Sequence, residues 1–97
     1  DTFEPISFDL QQNYPNPFNP TTSINFSLPS EGDVSLVIYN ILGKRIKTLV
    51  DEYKTAGRYN VSWNGRDDNG NSVSSGIYFY SLRSSGLSTV KKMIMLK

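Results

Sequence analysis

The polar segment at residues 64–71 holds the side chains that are best spaced to bind a metal ion. Asp67, Asn69 and Asn71 occupy alternate positions in the sequence NGRDDNGN. Calcium takes oxygen ligands from such side chains, but an EF-hand loop also needs a bidentate glutamate at its end, and none follows here. The same residues are typical of two tight turns in which Asx side chains accept backbone hydrogen bonds. We favour the turns, with calcium binding by these three residues as the alternative.

Two side-chain types on which many enzymes depend are missing. The chain of 97 residues contains neither histidine nor cysteine. A Ser–His–Asp or Cys–His site therefore cannot be built, and the commonest general base and metal ligands are lost with them. Most of the nine acidic residues lie in turn-like segments. The sequence predicts a non-catalytic protein without cofactor or disulfide.

The net charge of +1 is unevenly distributed. Residues 1–82 carry six basic and nine acidic side chains, whereas residues 83–97 carry four basic side chains and no acidic one. Four cations without interleaved aromatic residues make a poor nucleic-acid site, so we predict no nucleic-acid partner. A last strand whose edge is protected by lysines is the favoured interpretation.

Apolar residues recur with a period of two along most of the chain, which is typical of half-buried strands. Strands are predicted at residues 8–12, 22–28, 34–39, 45–50, 58–63, 77–83 and 87–96. Asn40–Gly43 is predicted as a turn with Gly43 in the left-handed conformation, and residues 51–56 as a polar connection with at most one helical turn. About seven short strands predict an all-β, immunoglobulin-like antiparallel β-sandwich.

One face of each strand should supply the core of the sandwich. The side chains that we place in or beside it are Ile24, Phe26, Leu36, Ile38, Tyr59, Val61, Trp63, Tyr78 and Tyr80. Each large aromatic side chain buries ~150–250 Å² and should find a polar partner at the core's rim. Carbohydrate-binding modules use similar aromatic residues on an exposed face, but the alternation directs most of these inward.

The sequence YPNPFNP, at residues 14–20, is expected to be the stiffest part of the chain. Each proline fixes φ and lacks an N–H group, and each preceding residue is restricted to extended conformations. We predict a rigid corner between the first two strands, in which Asn16 and Asn19 bind the local backbone. Phe18 should close the end of the sandwich. The segment is interpreted as structural.

Four sequence blocks occur in a recognisable order. They are YPNPFNPTTSINFSLP, VSLVIYNILGKRIKTLV, AGRYNVSWNGRDDNGNSVSSGIYFYSL and KKMIMLK. With this order and spacing, the chain resembles the C-terminal sorting domain (type A) of proteins exported by the type IX secretion system of Bacteroidetes-like bacteria. Its middle blocks are similar to the immunoglobulin-like domain of flagellar hook-capping proteins. The resemblance covers residues 8–97, so residues 1–7 are predicted to be a linker remnant.

The resemblance implies a recognition function at the end of a larger secreted protein. The implied partners are the outer-membrane translocon and a cell-surface sorting peptidase, and the implied location, reached through the periplasm, is secreted or attached to the cell surface. The implied recognition residues belong to the last strand and the turn before it: Gly86, Val90, Lys91, Lys92, Met93, Ile94, Met95, Leu96 and Lys97. The positions that match family motifs, for which we favour a structural role, are Pro15, Asn16, Pro17, Gly76 and Tyr78.

Two other functional classes remain open. The chain could be a spacer or carbohydrate-binding β-sandwich of a secreted glycoside hydrolase. It could also be a self-associating structural module that forms a weak homodimer through its edge strands. No apolar run approaches the ~20 residues that cross a membrane, so no membrane insertion is predicted. The first residues show neither the basic nor the apolar region of a signal peptide.

Overall fold

Seven β-strands form in the computed structural model of the protein, which describes residues 5–97. They are β1 (Asp9–Leu10), β2 (Thr22–Leu28), β3 (Gly32–Asn40), β4 (Arg45–Lys54), β5 (Gly57–Trp63), β6 (Gly76–Ser84) and β7 (Leu87–Met95). Within the described residues, no helix is long and apolar enough to cross a membrane. Residues 1–4 of the predicted linker lie outside the described residues, and the linker assignment stays a prediction.

The strands build two antiparallel sheets that pack face to face. Sheet A has the order β1-β2-β5, and sheet B has the order β4-β3-β6-β7. Two hairpins, β3–β4 and β6–β7, lie side by side in sheet B because β3 also pairs with β6. The predicted all-β, immunoglobulin-like sandwich is confirmed.

The core lies between the two sheets and follows the predicted alternation. Of the nine side chains that we place in or beside it, seven are buried, while Tyr59 and Val61 are partly buried against it. The indole N–H of Trp63 donates to the Arg66 carbonyl at 2.8 Å, and the Tyr78 hydroxyl donates to the Ser74 carbonyl at 2.6 Å. The large aromatic residues thus keep their polar atoms paired at the rim, as expected.

The prediction of a polar connection at residues 51–56 is wrong for residues 51–54, which belong to β4. β4 continues to Lys54, because Asp51 pairs with Ser35 and Lys54 pairs with Gly32. The local sequence is polar because residues 51–53 are exposed, beyond the part of β4 that packs on the core. Lys54 binds Glu52 at 3.0 Å and places its ammonium group 4.5 Å from the ring centre of Tyr59.

The prediction of the turn at Gly43 agrees better with the structure than the prediction of this connection does. Gly43 has φ +82° and donates its N–H to the Asn40 carbonyl, so the predicted left-handed conformation is confirmed. The predicted first strand spans residues 8–12, but β1 contains only Asp9 and Leu10. Beyond it, Gln11 still donates its N–H to the Asn25 carbonyl of β2.

Candidate recognition surface

The predicted recognition residues of β7 divide between two faces of sheet B. Met93 and Met95 are fully buried in the core. Val90, Lys92 and Ile94 alternate with them and therefore lie on the outer face of the sheet. Only these three of the nine residues combine an exposed or partly exposed side chain with a position on that open face.

The remaining recognition candidates lie at the ends of β7 or on its inner side. Lys91 is partly buried on the core side, whereas Leu96 is 54% exposed beyond the strand. The backbone N–H of Lys97 donates to the Ser75 hydroxyl at 2.9 Å. Gly86 has φ +79° in the β6–β7 turn, a conformation that favours glycine and gives this residue a structural reason for its identity.

The outer edge of β7 is occupied at its C-terminal end by residues 12–18. Phe18 donates its N–H to the Ile94 carbonyl at 3.0 Å and accepts from the Leu96 N–H at 2.9 Å. The Ile94 N–H donates to the Asn16 side-chain oxygen at 2.9 Å, and the Gln12 side chain donates to the Lys92 carbonyl at 2.7 Å. The segment 12–18 therefore pairs with the end of the last strand, and we call these contacts the latch.

The latch revises the expected role of the asparagines in this segment. Asn16 binds a strand 78 residues away in the sequence instead of the local backbone. The local role belongs to Asn13, whose buried side-chain amide donates to the Pro15 carbonyl and to the Thr22 hydroxyl. All three X–Pro bonds of residues 14–20 are cis.

Tyr80 connects the beginning of the latch to the centre of sheet B. Its hydroxyl donates to the Gln11 carbonyl and accepts from the Asn13 N–H, both at 2.8 Å. Burial raises the pKa of this phenol to about 12, although the Asn13 N–H acts in the opposite direction. The raised pKa favours the neutral phenol, which is the form that donates to the Gln11 carbonyl.

The positions that match family motifs contact the same region. Phe18 is buried and its ring centre lies 5.7 Å from that of Trp63, as expected for the residue that closes the sandwich. Tyr78 meets the same indole edge-on at 5.5 Å. Gly76 pairs with Met95 across sheet B. Pro15 and Pro17 flank Asn16 in the latch, and the Pro15 carbonyl accepts from the side chains of Asn13 and Thr22.

The loop between β5 and β6 uses its polar side chains for its own turns. One oxygen of Asp67 accepts from the N–H groups of Asn69 and Asn71, each at 2.9 Å. Asp68 pairs with the outer edge of β4, donating its N–H to the Ile46 carbonyl and accepting from the Thr48 N–H. Residues 5–97 contain no group of three His, Cys, Asp or Glu side chains placed to hold a metal ion.

The outer face of sheet B carries a row of two aromatic side chains and one basic side chain. Tyr39 pairs with Phe79, and Phe79 pairs with Lys92, so these side chains form one row across three strands. The alternation of Val37 and Tyr39 with core residues is visible in the sequence, but the position of Phe79 between Tyr39 and Lys92 depends on strand order. Sequence reasoning therefore missed this surface.

Comparisons with known proteins agree with the sandwich fold. The sequence matches the FlgD Ig-like domain family over residues 12–87, more than half of the chain, and the chain therefore belongs to that family. Among curated proteins, none matches the sequence significantly.

Solved structures share the fold at low identity. Dimeric latent PorU from Porphyromonas gingivalis is 21% identical with a TM-score of 0.72, and the alignment covers 99% of this chain and 10% of PorU. FlgD from P. aeruginosa is 22% identical with a TM-score of 0.61, covering 76% of this chain and 59% of FlgD.

PorZ from Porphyromonas gingivalis, a surface component of the type IX secretion system, is 23% identical with a TM-score of 0.59, covering 89% of this chain and 11% of PorZ. The chain thus spans about a tenth of PorU and of PorZ. At these identities the likeness establishes the fold.

Proposed function

We propose that this chain is a non-catalytic sorting domain that directs a larger secreted protein through the type IX secretion system to the cell surface. The observation that carries the proposal is the arrangement of β7: Met93 and Met95 anchor the strand, while Val90, Lys92 and Ile94 are presented outward. A folded domain can be recognised through such a fixed strand without changing its conformation.

The surroundings of β7 support this function. The latch holds residues 92–96 at one position, so the outward side chains have a defined geometry before any partner binds. The shared fold with PorZ, itself a surface component of that secretion system, agrees with the proposal. The expected partners are the outer-membrane translocon and a cell-surface sorting peptidase.

The latch also limits how a partner can bind. Strand addition needs unpaired backbone groups, but the Lys92 carbonyl, both backbone groups of Ile94 and the Leu96 N–H are already bound by residues 12–18. At this end of β7, recognition of the side chains on the outer face is therefore the more favourable mode.

Export of a reporter fused before residue 1 tests the proposal in a bacterium that carries the secretion system. Deleting residues 86–97 would remove Met93 and Met95 from the core, so outward substitutions are the better test. We expect the triple variant Val90→Thr, Lys92→Thr, Ile94→Thr to fold and to leave the reporter inside the cell. The matched control places Thr at Asn25, Asn60 and Ser62, on sheet A, and should be exported. Export of both variants, or retention of the unchanged domain, would refute the proposal.

A self-associating module is the second candidate, and the edge of β5 favours it. The backbone groups of Ser23 and Asn25 bind residues 11–14. Because the backbone groups of successive residues point to opposite sides of a strand, those of Ile24 and of the residues two positions before and after it face β5. The backbone groups of Arg58, Asn60 and Ser62 consequently point away from sheet A, where no described backbone group pairs with them. An increase of mass with concentration in light scattering would support this candidate.

A further inference from the structure

The outer faces of the two sheets differ in chemistry. On sheet A the outward side chains are polar apart from Tyr14, which is bridged to Ser23: Asp9, Gln11, Ser23, Asn25, Ser27, Arg58, Asn60 and Ser62. On sheet B the outward positions include six apolar side chains: Val37, Tyr39, Ile77, Phe79, Val90 and Ile94. An outer sheet face that is solvated normally carries polar residues, so sheet B departs from the usual pattern.

These six side chains are adjacent, as the register shows. One row crosses all four strands and reads Arg45, Tyr39, Phe79 and Lys92. On one side of it Ile77 pairs with Ile94, and on the other Val37, Ser81 and Val90 are neighbours. We call the six apolar side chains, together with Arg45 and Lys92, the basic–apolar patch.

The patch remains partly open to solvent. Val90 is 58% exposed and Ile77 is 41% exposed, whereas Tyr39, Phe79 and Ile94 are partly exposed. None of these five belongs to the core cluster or packs against it. Adjacent exposed apolar side chains of this kind mark an interaction surface more often than isolated ones do.

The charges of the patch are of one sign. Arg45 and Lys92 occupy its two sides, and neither forms an ion pair with a carboxylate in the part of the chain that the structure describes. No acidic residue occurs in the three rows that contain the patch. The nearest acidic residue in the register, Asp51, lies opposite Ser35 in the next row. A negatively charged partner is therefore complementary to the patch.

The spacing of the two cations defines the partner further. They lie on β4 and β7, which are separated by three interstrand spacings, or about 14 Å. Between them lie the two aromatic rings, which suit apolar side chains. The complementary surface has carboxylates about 14 Å apart with an apolar centre.

We propose that the basic–apolar patch docks an acidic protein segment in which carboxylates flank apolar side chains. Two cations are too few for nucleic acid, whose affinity comes from many phosphate contacts. A second copy fits poorly, because pairing two such patches brings cations together and the outer face of sheet A offers a single aromatic ring, that of Tyr14, at one end of β2. Aromatic residues and Arg are also enriched at the cores of protein interfaces.

Two synthetic peptides provide the probe. One carries two glutamates four positions apart with apolar residues between them, an extended span of about 13 Å. The other has lysine in place of each glutamate. In NMR titrations of the 97-residue chain, we expect the acidic peptide to shift the amide signals of residues 37–39, 77–79 and 90–94. The lysine peptide should leave them unchanged.

Charge reversal then separates docking from nonspecific adhesion. The double variant Arg45→Glu, Lys92→Glu should bind the acidic peptide about tenfold more weakly, the sum of two exposed ion pairs. It should gain affinity for the lysine peptide. The control, a single charge reversal on sheet A, Arg58→Glu, should behave as the unchanged chain, and circular dichroism should show that all variants are folded.

Several results would overturn the proposal. They are equal binding of both peptides, no binding of either at millimolar concentration, shifts confined to other surfaces, or a dimer that Phe79→Thr dissociates. Because these measurements use the purified chain, they do not depend on export. Failure of docking and failure of the sorting function can therefore be told apart.

Discussion

Two edge strands of the sandwich, β7 and β5, are treated in opposite ways. At β7, four hydrogen bonds from residues 12–18 occupy the edge between Lys92 and Leu96. At β5, the outward backbone groups of Arg58, Asn60 and Ser62 have no backbone partner among the described residues. Unpaired edges invite association with other strands. The difference indicates that the end of β7 is closed to a further strand, whereas β5 is open to one.

The closed edge also explains what the prolines contribute. A segment with few N–H groups and restricted φ loses little conformational entropy when it is fixed beside another strand. Asn16 and Phe18 then supply the bonds that the edge of β7 needs. The rigid proline-rich corner therefore helps to hold the end of β7, which lies at the other end of the sequence.

Breaking the latch should have the largest effect. Phe18 is 2% exposed and packs on Trp63, so Phe18→Ala should lower the free energy of unfolding by about 3–5 kcal/mol through the cavity that it leaves. Hydrogen exchange at Ile94 and Leu96 should accelerate more than in the centre of β3. Urea denaturation and exchange measured by NMR test both effects.

The control for this variant lies in the same segment. Tyr14 is 81% exposed, and Tyr14→Ala should change stability by no more than about 0.5 kcal/mol. A loss below about 1 kcal/mol for Phe18→Ala, or equal losses for both variants, would show that the latch does not stabilise the sandwich.

Removing the Tyr80 hydroxyl should have a smaller effect on the same edge. Tyr80→Phe leaves the buried Asn13 N–H and the Gln11 carbonyl without their partner, which should lower the free energy of unfolding by about 1–3 kcal/mol. Phenylalanine keeps the ring, so packing changes little. Urea denaturation near neutral pH measures the loss, and a loss within error would contradict the assigned role.

The pKa of Tyr80 gives this variant a second signature. The pKa rises from 10.0 to about 12 on folding, so above pH 10 the unfolded state loses its proton first. Stability should therefore fall between pH 10 and pH 12, and the fall due to this group should be absent in Tyr80→Phe. The difference between the two proteins is the relevant quantity, because burial, Glu31 and Asp33 also raise the pKa of Tyr53.

The parts of the structure that depend on local patterns could be predicted from the sequence. The alternation of Ile24, Phe26 and Leu28 determines both the bounds of β2 and its buried face. Gly43 could be placed in its turn because the left-handed conformation excludes most other residues. These features depend only on neighbours within a few positions.

The parts that depend on distant partners could not be predicted. Asn13 and Tyr80 are 67 residues apart, and Asn16 and Ile94 are 78 apart, yet each pair is joined by a hydrogen bond. Nothing in the local sequence specifies such a pairing. The polar end of β4 has the same origin, since residues 51–54 are strand because they pair with β3.

Apart from the Tyr14→Ala control, the smallest effect on stability is expected at the open edge, where the result distinguishes the two candidate functions. A two-fold pairing of β5 centred on Asn60 would place Arg58 opposite Ser62 of the second copy, avoid like charges, and pair all six outward backbone groups. Proline suits an edge position whose N–H points away from the sheet. Asn60→Pro should thus remove one donor of this pairing and the 2.6 Å side-chain bond to Asn25, and cost only about 1 kcal/mol of stability.

Asn60→Thr loses the same side-chain bond but keeps the N–H. If the chain self-associates through β5, light scattering should show that the proline variant is monomeric while the threonine variant still associates. Equal association of both variants would exclude this edge as the contact, and a loss of several kcal/mol on proline substitution would show that the Asn60 N–H is bound within the sheet.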